Sequence, residues 1–587
     1  MSDIFQLTLI SASSLSILII LISILFAKTK WKISYLLLII LFSILPIIST
    51  FRKGIYESGD QILHISLLIP FYESLSEGLL NPIWTDNACS GYGCPIFNYY
   101  YKLPYYLASG VHWLGFNFTN SIKILMSLIY VLSGISMFLW IKDKYGKNAG
   151  IVAAVLYQFA PYHLVSLHYR TTLGESLAFG LLPLIMIFVD RLIKKKKILW
   201  YILLAVSFAS LVLTHLAITI IFSLFLVAYI VFQSTLYNKK PFSTILLTFI
   251  SIAHGGLLAS YYWIPAVLES NLIHQERFLS FPKFWEFFTT PWYYGLLSQG
   301  SMGELGNSLG YAHWIMILVG LLLVVFRRRI RKIKYGSELF FFVISFILTF
   351  TVMQKFTRPI WLNIPFLTNF QSTHRLLLLL TFISSIVASI VISNFGLLKK
   401  FRRIKVSFLV LAICLVTMYL STPNWGYRRM IKTAGDDYGQ ENTYLQNSTF
   451  FIPVKAKYYL QNKSRVETPI EILRGDGEII NSKNGTHKHE YTIVANSAVR
   501  VKENTLVFPG WTLYVNGKRH KIIDDDDEYP GIVVFTLPKG FYKVKLEMQS
   551  TKIRLFSLMM SRIGLVGLIS IYLYSLIKSK LRIPSTC

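Results

Sequence analysis

The chain has 587 residues, 54% of them hydrophobic, and a formal net charge of +29, with a mean hydropathy of +0.51. Such a composition excludes a wholly soluble fold, whose surface must be largely polar. The basic excess does not point to nucleic acid, because Lys and Arg cluster between apolar runs instead of along an amphipathic face.

In chain order, runs long enough to cross a hydrocarbon core of about 30 Å as helices fall at 4–26, 33–50, 118–141, 148–166, 173–190, 198–214, 215–233, 243–264, 311–326, 338–354, 374–395, 405–421 and 554–577. They predict an α-helical polytopic membrane protein with about thirteen spans. Residues 4–26 have no basic segment before them and no small-residue cleavage site after them, so they read as a first helix and not as a signal peptide. The apolar stretch 198–233 is too long for one span and needs a tight turn near Thr214 and His215.

Every second connection is basic, as at Lys142/Lys144/Lys147, Lys194 to Lys197 and Lys239/Lys240. The intervening ones carry nearly all the acids of the membrane part, among them Glu57, Asp60, Glu73, Glu77, Asp86, Glu175, Glu269, Glu276, Glu286 and Glu304. Positive residues stay on the cytoplasmic side, so the N-terminus is expected outside and the C-terminus inside. Three outer segments, 51–117, 265–310 and 355–373, are too long to be simple connectors. The first should contain a short amphipathic helix from Gln61 to Leu75 and a stretch from Leu103 to Leu114 lying along the interface. Cys89 and Cys94 share it and can pair in an oxidising compartment or remain free thiols.

Beyond residue 424 the composition becomes that of a soluble domain, with 18 Lys/Arg nearly balanced by 15 Asp/Glu over 424–551. Alternating runs such as Glu490 to Val494 and Thr512 to Val515 predict a β-sandwich or jelly-roll-like unit. Within it, Leu513-Tyr514-Val515-Asn516-Gly517-Lys518 predicts a hairpin, since Asn-Gly adopts the two left-handed residues of a type I′ turn. The acidic run 524–527 reads as a solvated loop before it reads as a cation site. Three parts result: a membrane domain 1–423, an outer β-rich domain 424–551, and a last span with a cytoplasmic tail, 552–587.

For chemistry, the segment Gly59-Asp60-Gln61-Ile62-Leu63-His64 places Asp60 at the membrane surface with His64 one helical turn further on, on the same face. Such an aspartate can act as a general base or hold a divalent metal (Mg or Mn) against a phosphate; it can equally be a helix cap followed by an exposed histidine. Glu175 lies about one turn inside a predicted span, where a carboxylate costs roughly 2.5–3.5 kcal/mol unless it meets water, a partner or a cavity. Arg170 is its obvious ion-pair partner. With His374 and Arg375, Arg170 falls at a predicted outer helix end, suited either to a lipid phosphate or to interfacial anchoring. Tyr99 and Tyr100 could stack on a sugar or form part of an aromatic belt.

Several of these residues sit in a recognisable order. Gly59-Asp60-x3-His64 is followed by Gly78-Leu79-Leu80-Asn81-Pro82-Ile83-Trp84, Gly91-Tyr92-Gly93-Cys94-Pro95-Ile96-Phe97-Asn98-Tyr99 and Pro104-Tyr105-Tyr106. Then come Arg170-Thr171-Thr172-Leu173-Gly174-Glu175-Ser176-Leu177-Ala178-Phe179, Asn369-Phe370-Gln371-Ser372-Thr373-His374-Arg375 and Phe508-Pro509-Gly510-Trp511-x3-Val515-Asn516-Gly517. The series resembles the membrane proteins described as 6-pyruvoyl-tetrahydropterin synthase-related, which in turn resemble YfhO-like members of the GT-C glycosyltransferase superfamily. Ser372, Thr373 and His374 depart from that family's Phe-Gln-Phe-Pro-Trp-Arg. The pterin label fits poorly, because no spaced zinc-binding His triad is present and His487 and His489 read as surface residues.

The resemblance implies a GT-C-like enzyme at the outer face of the cell membrane. It would move a sugar from a polyprenyl-phosphate-linked donor to a glycan, lipid or protein acceptor of the envelope, with no nucleic-acid partner. In that reading Asp60, Glu175 and His64 are catalytic, Arg170, His374 and Arg375 hold the donor phosphate, and Tyr99, Tyr100 and Gln371 contact substrate. A flippase or transporter would show several ionisable mid-bilayer positions repeated in two halves, which the sequence lacks. A non-enzymatic scaffold would leave Asp60, Glu175 and Arg375 dispersed.

Overall fold

A computed structural model describes residues 35–51, 54–56, 58–274, 279–288, 294–295, 298–299, 308–326, 333–364, 367, 370–395, 406–421, 430–431, 451–462 and 466–581. The first predicted span, 4–26, lies outside them, as do Glu57, Glu276, Glu304 and Asn369. Among the described residues six helices are long and apolar enough to cross a membrane: Phe118–Tyr145, Leu173–Lys195, Leu216–Tyr237, Pro241–Leu258, Thr373–Asn394 and Lys552–Ile577. The number rises to 8 if two bent pairs count as single spans, Lys147–Gln158 with Pro161–Tyr169 (51°) and Gly336–Val352 with Lys355–Asn363 (75°). Tyr35–Phe51, Ile198–Thr214, Tyr311–Val325 and Leu409–Ser421 are shorter apolar helices. The turn needed near Thr214 is there: one residue, His215, breaks the helix in an extended conformation (φ −169°) between Ile198–Thr214 and Leu216–Tyr237.

The chain divides into two compact units interleaved along the sequence: Met1–Gln61, Ile122–Ala253 and Arg277–Thr433 form one, and Ile62–Ser121, His254–Glu276 and Ala434–Cys587 the other. In the first, the helix Leu377–Phe395 is the core, burying Leu377, Leu380, Phe382, Ile383, Ile386, Val387 and Ile390. It packs on Lys147–Gln158, Tyr311–Val325 and Gly336–Val352. A buried polar clamp ties three further helices together. Asp190 accepts from Trp140 Nε1 (2.9 Å) and from the Tyr229 hydroxyl (2.7 Å), while Lys144 donates to Tyr229 (2.7 Å) and lies 3.6 Å from Asp190. A carboxylate and an ammonium are tolerated there because each meets the other and a hydroxyl.

The second unit holds two facing antiparallel sheets. Its strands are β1 (Ile470–Arg474), β2 (Gly477–Asn484), β3 (Lys488–Ala495), β4 (Val499–Leu506), β5 (Trp511–Val515), β6 (Lys518–His520), β7 (Ile532–Leu537) and β8 (Gly540–Met548). They order as β6-β5-β8-β3-β2 and β7-β4-β1. Burial alternates along β3, with His489, Tyr491, Ile493 and Ala495 inward, as expected of a strand with one wet face. His489 Nδ1 (2.7 Å) and the Tyr491 hydroxyl (3.0 Å) both reach Glu503 of β4, joining the sheets. His489 is therefore buried, contrary to the surface position expected of it, because the alternation of β3 turns it inward. The hairpin is as expected: Val515 pairs with Lys518 across Asn516 (φ 49°) and Gly517 (φ 78°). In the acidic run, Asp526 is bound by Arg500 and Asp524 pairs with Lys455.

The helix Gln61–Ser76 forms where expected but is not amphipathic in use: His64, Ile65, Ser66, Leu67, Leu68, Ile69 and Phe71 are all buried, so packing covers nearly its whole circumference. Cys89 and Cys94 are joined as a disulfide. Glu269 is the hub of this unit. It accepts from Asn98 Nδ2 (3.0 Å), Thr551 Oγ1 (2.6 Å) and Arg554 Nε (3.0 Å), with Arg554 Nη2 in ion-pair contact at 2.9 Å. The first outer segment and the last helix thereby meet on one buried carboxylate.

Candidate active site

Three stretches of the first unit converge on one cluster of charges. The Arg170 segment leaves the helical path before it arrives: Pro161–Leu164 passes into a π-helical turn, Val165–Tyr169, closed by Arg170 N–H to Val165 O at 2.8 Å. Thr171 then adopts φ +53°, a left-handed conformation rare for a β-branched residue. A π turn followed by a left-handed residue re-aims a side chain that a continuous helix would bury elsewhere. Asp60 comes from the residue just before Gln61–Ser76, and its main chain is pinned to the Arg170 turn: Gly59 N–H donates to Tyr169 O and Asp60 N–H to Arg170 O, both 2.8 Å. The third stretch enters with Gln371, also left-handed (φ +61°), and turns into the central helix at Thr373–Leu376.

At the centre, Glu175 is almost fully buried and has both oxygens engaged. Arg170 meets it in a two-pronged contact, Nη1 to Oε2 at 2.9 Å and Nη2 to Oε1 at 3.2 Å. The Tyr162 hydroxyl donates to Oε2 at 2.7 Å, and Arg375 Nε lies 3.4 Å from Oε1. Arg375 is held from the other side by Gln371, whose Oε1 accepts from Nη2 at 2.9 Å. His374 Nδ1 is 2.6 Å from Ser372 Oγ, while its Nε2 is buried with no hydrogen-bond partner among the described residues. Ser372 and His374, which break the family's aromatic pattern, thus serve each other.

Asp60 differs from Glu175. Among the described residues its carboxylate makes no ion pair or side-chain hydrogen bond and is only half-buried. Burial pushes its carboxyl up to about 6, although Arg170 and Arg375 pull it down and Glu175 pushes it up. The cluster therefore offers two guanidiniums sharing one buried counter-charge, beside an uncommitted carboxyl that ionises below neutral pH. That combination can receive an anion and accept a proton near it.

Asp60, Glu175, Arg170, His374, Arg375 and Gln371 are thus brought together. Glu175 holds Arg170 in the two-pronged contact and accepts from Tyr162, with Arg375 Nε 3.4 Å from its Oε1. Gln371 orients Arg375. His64, Tyr99 and Tyr100 belong to the second unit. There His64 Nδ1 is 2.8 Å from the Tyr105 hydroxyl, so the helix face it shares with Asp60 in sequence carries it into a core. Tyr99 donates to Glu269 O (2.7 Å) and stacks on Phe451, and Tyr100 stacks on Tyr101 at 4.2 Å. Tyr162 was not singled out from sequence, since a tyrosine at the start of an apolar helix looks like any interfacial aromatic. As for a divalent cation, no three His, Cys, Asp or Glu side chains gather as a metal site among the described residues.

Residues 97–426, more than half of the chain, match the model of the 6-pyruvoyl-tetrahydropterin synthase-related domain, described as a membrane protein. A protein of Lactococcus lactis subsp. cremoris (strain MG1363) is 23% identical over 243 residues, 40% of either chain. Among solved structures, the mycobacterial arabinofuranosyltransferase AftD aligns at TM-score 0.44 and 16% identity over 67% of this chain and 27% of its own. The Archaeoglobus fulgidus oligosaccharyltransferase aligns at TM-score 0.42 and 13% identity (68% of this chain, 54% of that one). ArnT from Cupriavidus metallidurans, bound to undecaprenyl phosphate, aligns at 0.30 and 10% (61% and 77%). Similarities at this level carry no argument about activity. The chain spans well under half the length of the Lactococcus relative and of AftD that it matches. On the family match, the chain belongs to the 6-pyruvoyl-tetrahydropterin synthase-related family of membrane proteins.

Proposed function

We propose that this protein is a GT-C-like membrane glycosyltransferase that moves a sugar from a polyprenyl-phosphate-linked donor to a hydroxyl of an envelope glycan, lipid or protein at the outer membrane face. The observation that carries this reading is the pairing of Asp60, free and ionising near pH 6, with the Arg170–Glu175–Arg375 cluster in one unit. In the reaction Asp60 takes the proton of the acceptor hydroxyl as its oxygen bonds to the sugar's anomeric carbon. The bond from that carbon to the phosphate oxygen breaks, and the departing polyprenyl phosphate keeps the electron pair, its charge met by Arg170 and Arg375. The proton then leaves Asp60 for water. Glu175, Tyr162 and Gln371 keep the two guanidiniums aimed, which favours an anion that gains charge as the bond breaks. His374, with its unpartnered Nε2, is a further donor to the phosphate.

The arrangement in the membrane belongs to the same proposal: thirteen crossings, N-terminus outside, C-terminus in the cytoplasm, membrane domain 1–423, β-rich domain 424–551 outside, and last span within 552–587. The Cys89–Cys94 disulfide supports an oxidising outer location for the first long segment.

The test replaces Asp60 in cells. Asp60→Ala and Asp60→Asn should reach the membrane in normal amount yet lower transfer by about 10²–10⁴-fold, with lipid-linked sugar accumulating and one envelope glycan losing a substituent. Normal glycans in both variants rule out the assigned role.

A further inference from the structure

The face of the five-stranded sheet turned away from the three-stranded one carries a defined arrangement of its own. The strand register lines up Arg519 of β6, Tyr514 of β5, Lys545 of β8, Glu490 of β3 and Lys483 of β2 in one row across all five strands. At strand spacings of about 4.8 Å the row is roughly 19 Å long. Lys543 and Thr492 pair in the adjacent row. Tyr514, Lys545, Glu490 and Lys483 of this row, with Lys543 and Thr492, line a shallow hollow of about 650 Å³, and Arg519 lies outside its lining.

The charges on the face are not equivalent. Lys488 pairs with Glu490 at 2.6 Å and Lys545 with Glu547 at 2.8 Å, so the centre is a ladder of self-neutralised pairs. Lys483, Lys543 and Arg519 are exposed and have no ion pair among the described residues. These three cations share the face with a half-exposed aromatic, Tyr514, whose hydroxyl accepts from Gln549 and whose ring centroid lies 5.8 Å from the Lys545 ammonium. A centre of Lys and Glu is the opposite of a protein-docking core, from which those residues are depleted. Its carboxylates are paired with lysines and can still accept from hydroxyls, while the ladder lysines donate to ring and hydroxyl oxygens. A sugar ring, with an apolar face and a rim of hydroxyls, matches an aromatic flanked by such pairs.

We propose that this sheet face binds an anionic polysaccharide laid across the strands, its acidic groups on Lys483, Lys543 and Arg519 and one sugar ring against Tyr514. The inference goes beyond the proposed transferase and does not rest on it, since binding here needs no residue of the first unit.

The experiment uses the full chain in zwitterionic nanodiscs at physiological ionic strength, with three soluble probes: polygalacturonate, neutral dextran and polyglutamate. Polygalacturonate should bind, with dextran and polyglutamate both much weaker. The combined Lys483→Gln, Lys543→Gln, Arg519→Gln variant should weaken polygalacturonate at least about tenfold. A Lys195→Gln, Lys196→Gln, Lys197→Gln variant, which lowers net charge equally at another site, should bind as the parent does. Tyr514→Ala should weaken polygalacturonate while leaving polyglutamate unchanged. Equal loss in the two triple variants would mean diffuse attraction to a basic protein, and equal binding of polyglutamate would mean a polypeptide site; either overturns the proposal. Unaltered melting of each variant shows that binding and not folding was changed.

Discussion

Burial and neighbouring arginines pull the Asp60 carboxyl in opposite directions, and burial prevails. Its proton is held in the folded protein up to about pH 6, above the ordinary range, so the stability this group contributes is complete at low pH and is lost as pH rises through about 6. Asp60→Asn should therefore melt higher than the parent at pH 7.5, by the order of 1–3 kcal/mol, with no gain near pH 4. Transfer by the parent should rise with pH through the same region. A variant both more stable and inactive marks a group kept for function; equal melting at both pH values argues against a buried carboxyl. Glu175 should behave in the reverse manner. Glu175→Gln leaves two guanidiniums facing a neutral amide and should cost about 3–5 kcal/mol, seen as a lower melting temperature in detergent. These four ionisable residues were legible in the sequence because a charge at the end of an apolar span needs a reason. Tyr162 was not, because a tyrosine that hydrogen-bonds to a buried carboxylate looks in sequence like any interfacial aromatic.

The elements follow the same division. Apolar runs announced the helices, and Asn516-Gly517 announced its hairpin, because both signals are local. Gly517→Ala isolates that signal: a Cβ there meets nothing within 4 Å, so the penalty is purely conformational. It should be about 1 kcal/mol, read as faster hydrogen exchange of the β5 and β6 amides, and unchanged exchange would show the turn to be unstrained by a side chain. The π turn Val165–Tyr169 and the left-handed Thr171 and Gln371 had no such announcement. No residue type specifies a π turn; it appears where tertiary contacts outweigh the regular ladder. The buried course of Gln61–Ser76 was hidden for the same reason, since polar residues suggested a wet face that packing fills.

For the whole molecule, sequence order misstates association. Residues 62–121 and 254–276 form one compact unit with the C-terminal part, and Glu269 is the residue that gathers them. A linear reading saw Glu269 only as one outer acid among many, because its partner Arg554 lies 285 positions away. The sidedness inferred from charge alternation is open to direct measurement. Asn516→Cys, at an exposed turn, should react with an impermeant maleimide in intact cells, and Lys195→Cys only after permeabilisation; the reverse pattern would invert the topology. One link in the first unit bears on how such a catalyst could be retuned. The amides of Gly59 and Asp60 bond to the carbonyls of Tyr169 and Arg170, so the backbones that carry the proposed proton acceptor and anion holder are tied to each other by main chain. Side chains on either strand could be lengthened, shortened or exchanged to suit another leaving group or nucleophile while the tie between them stayed the same.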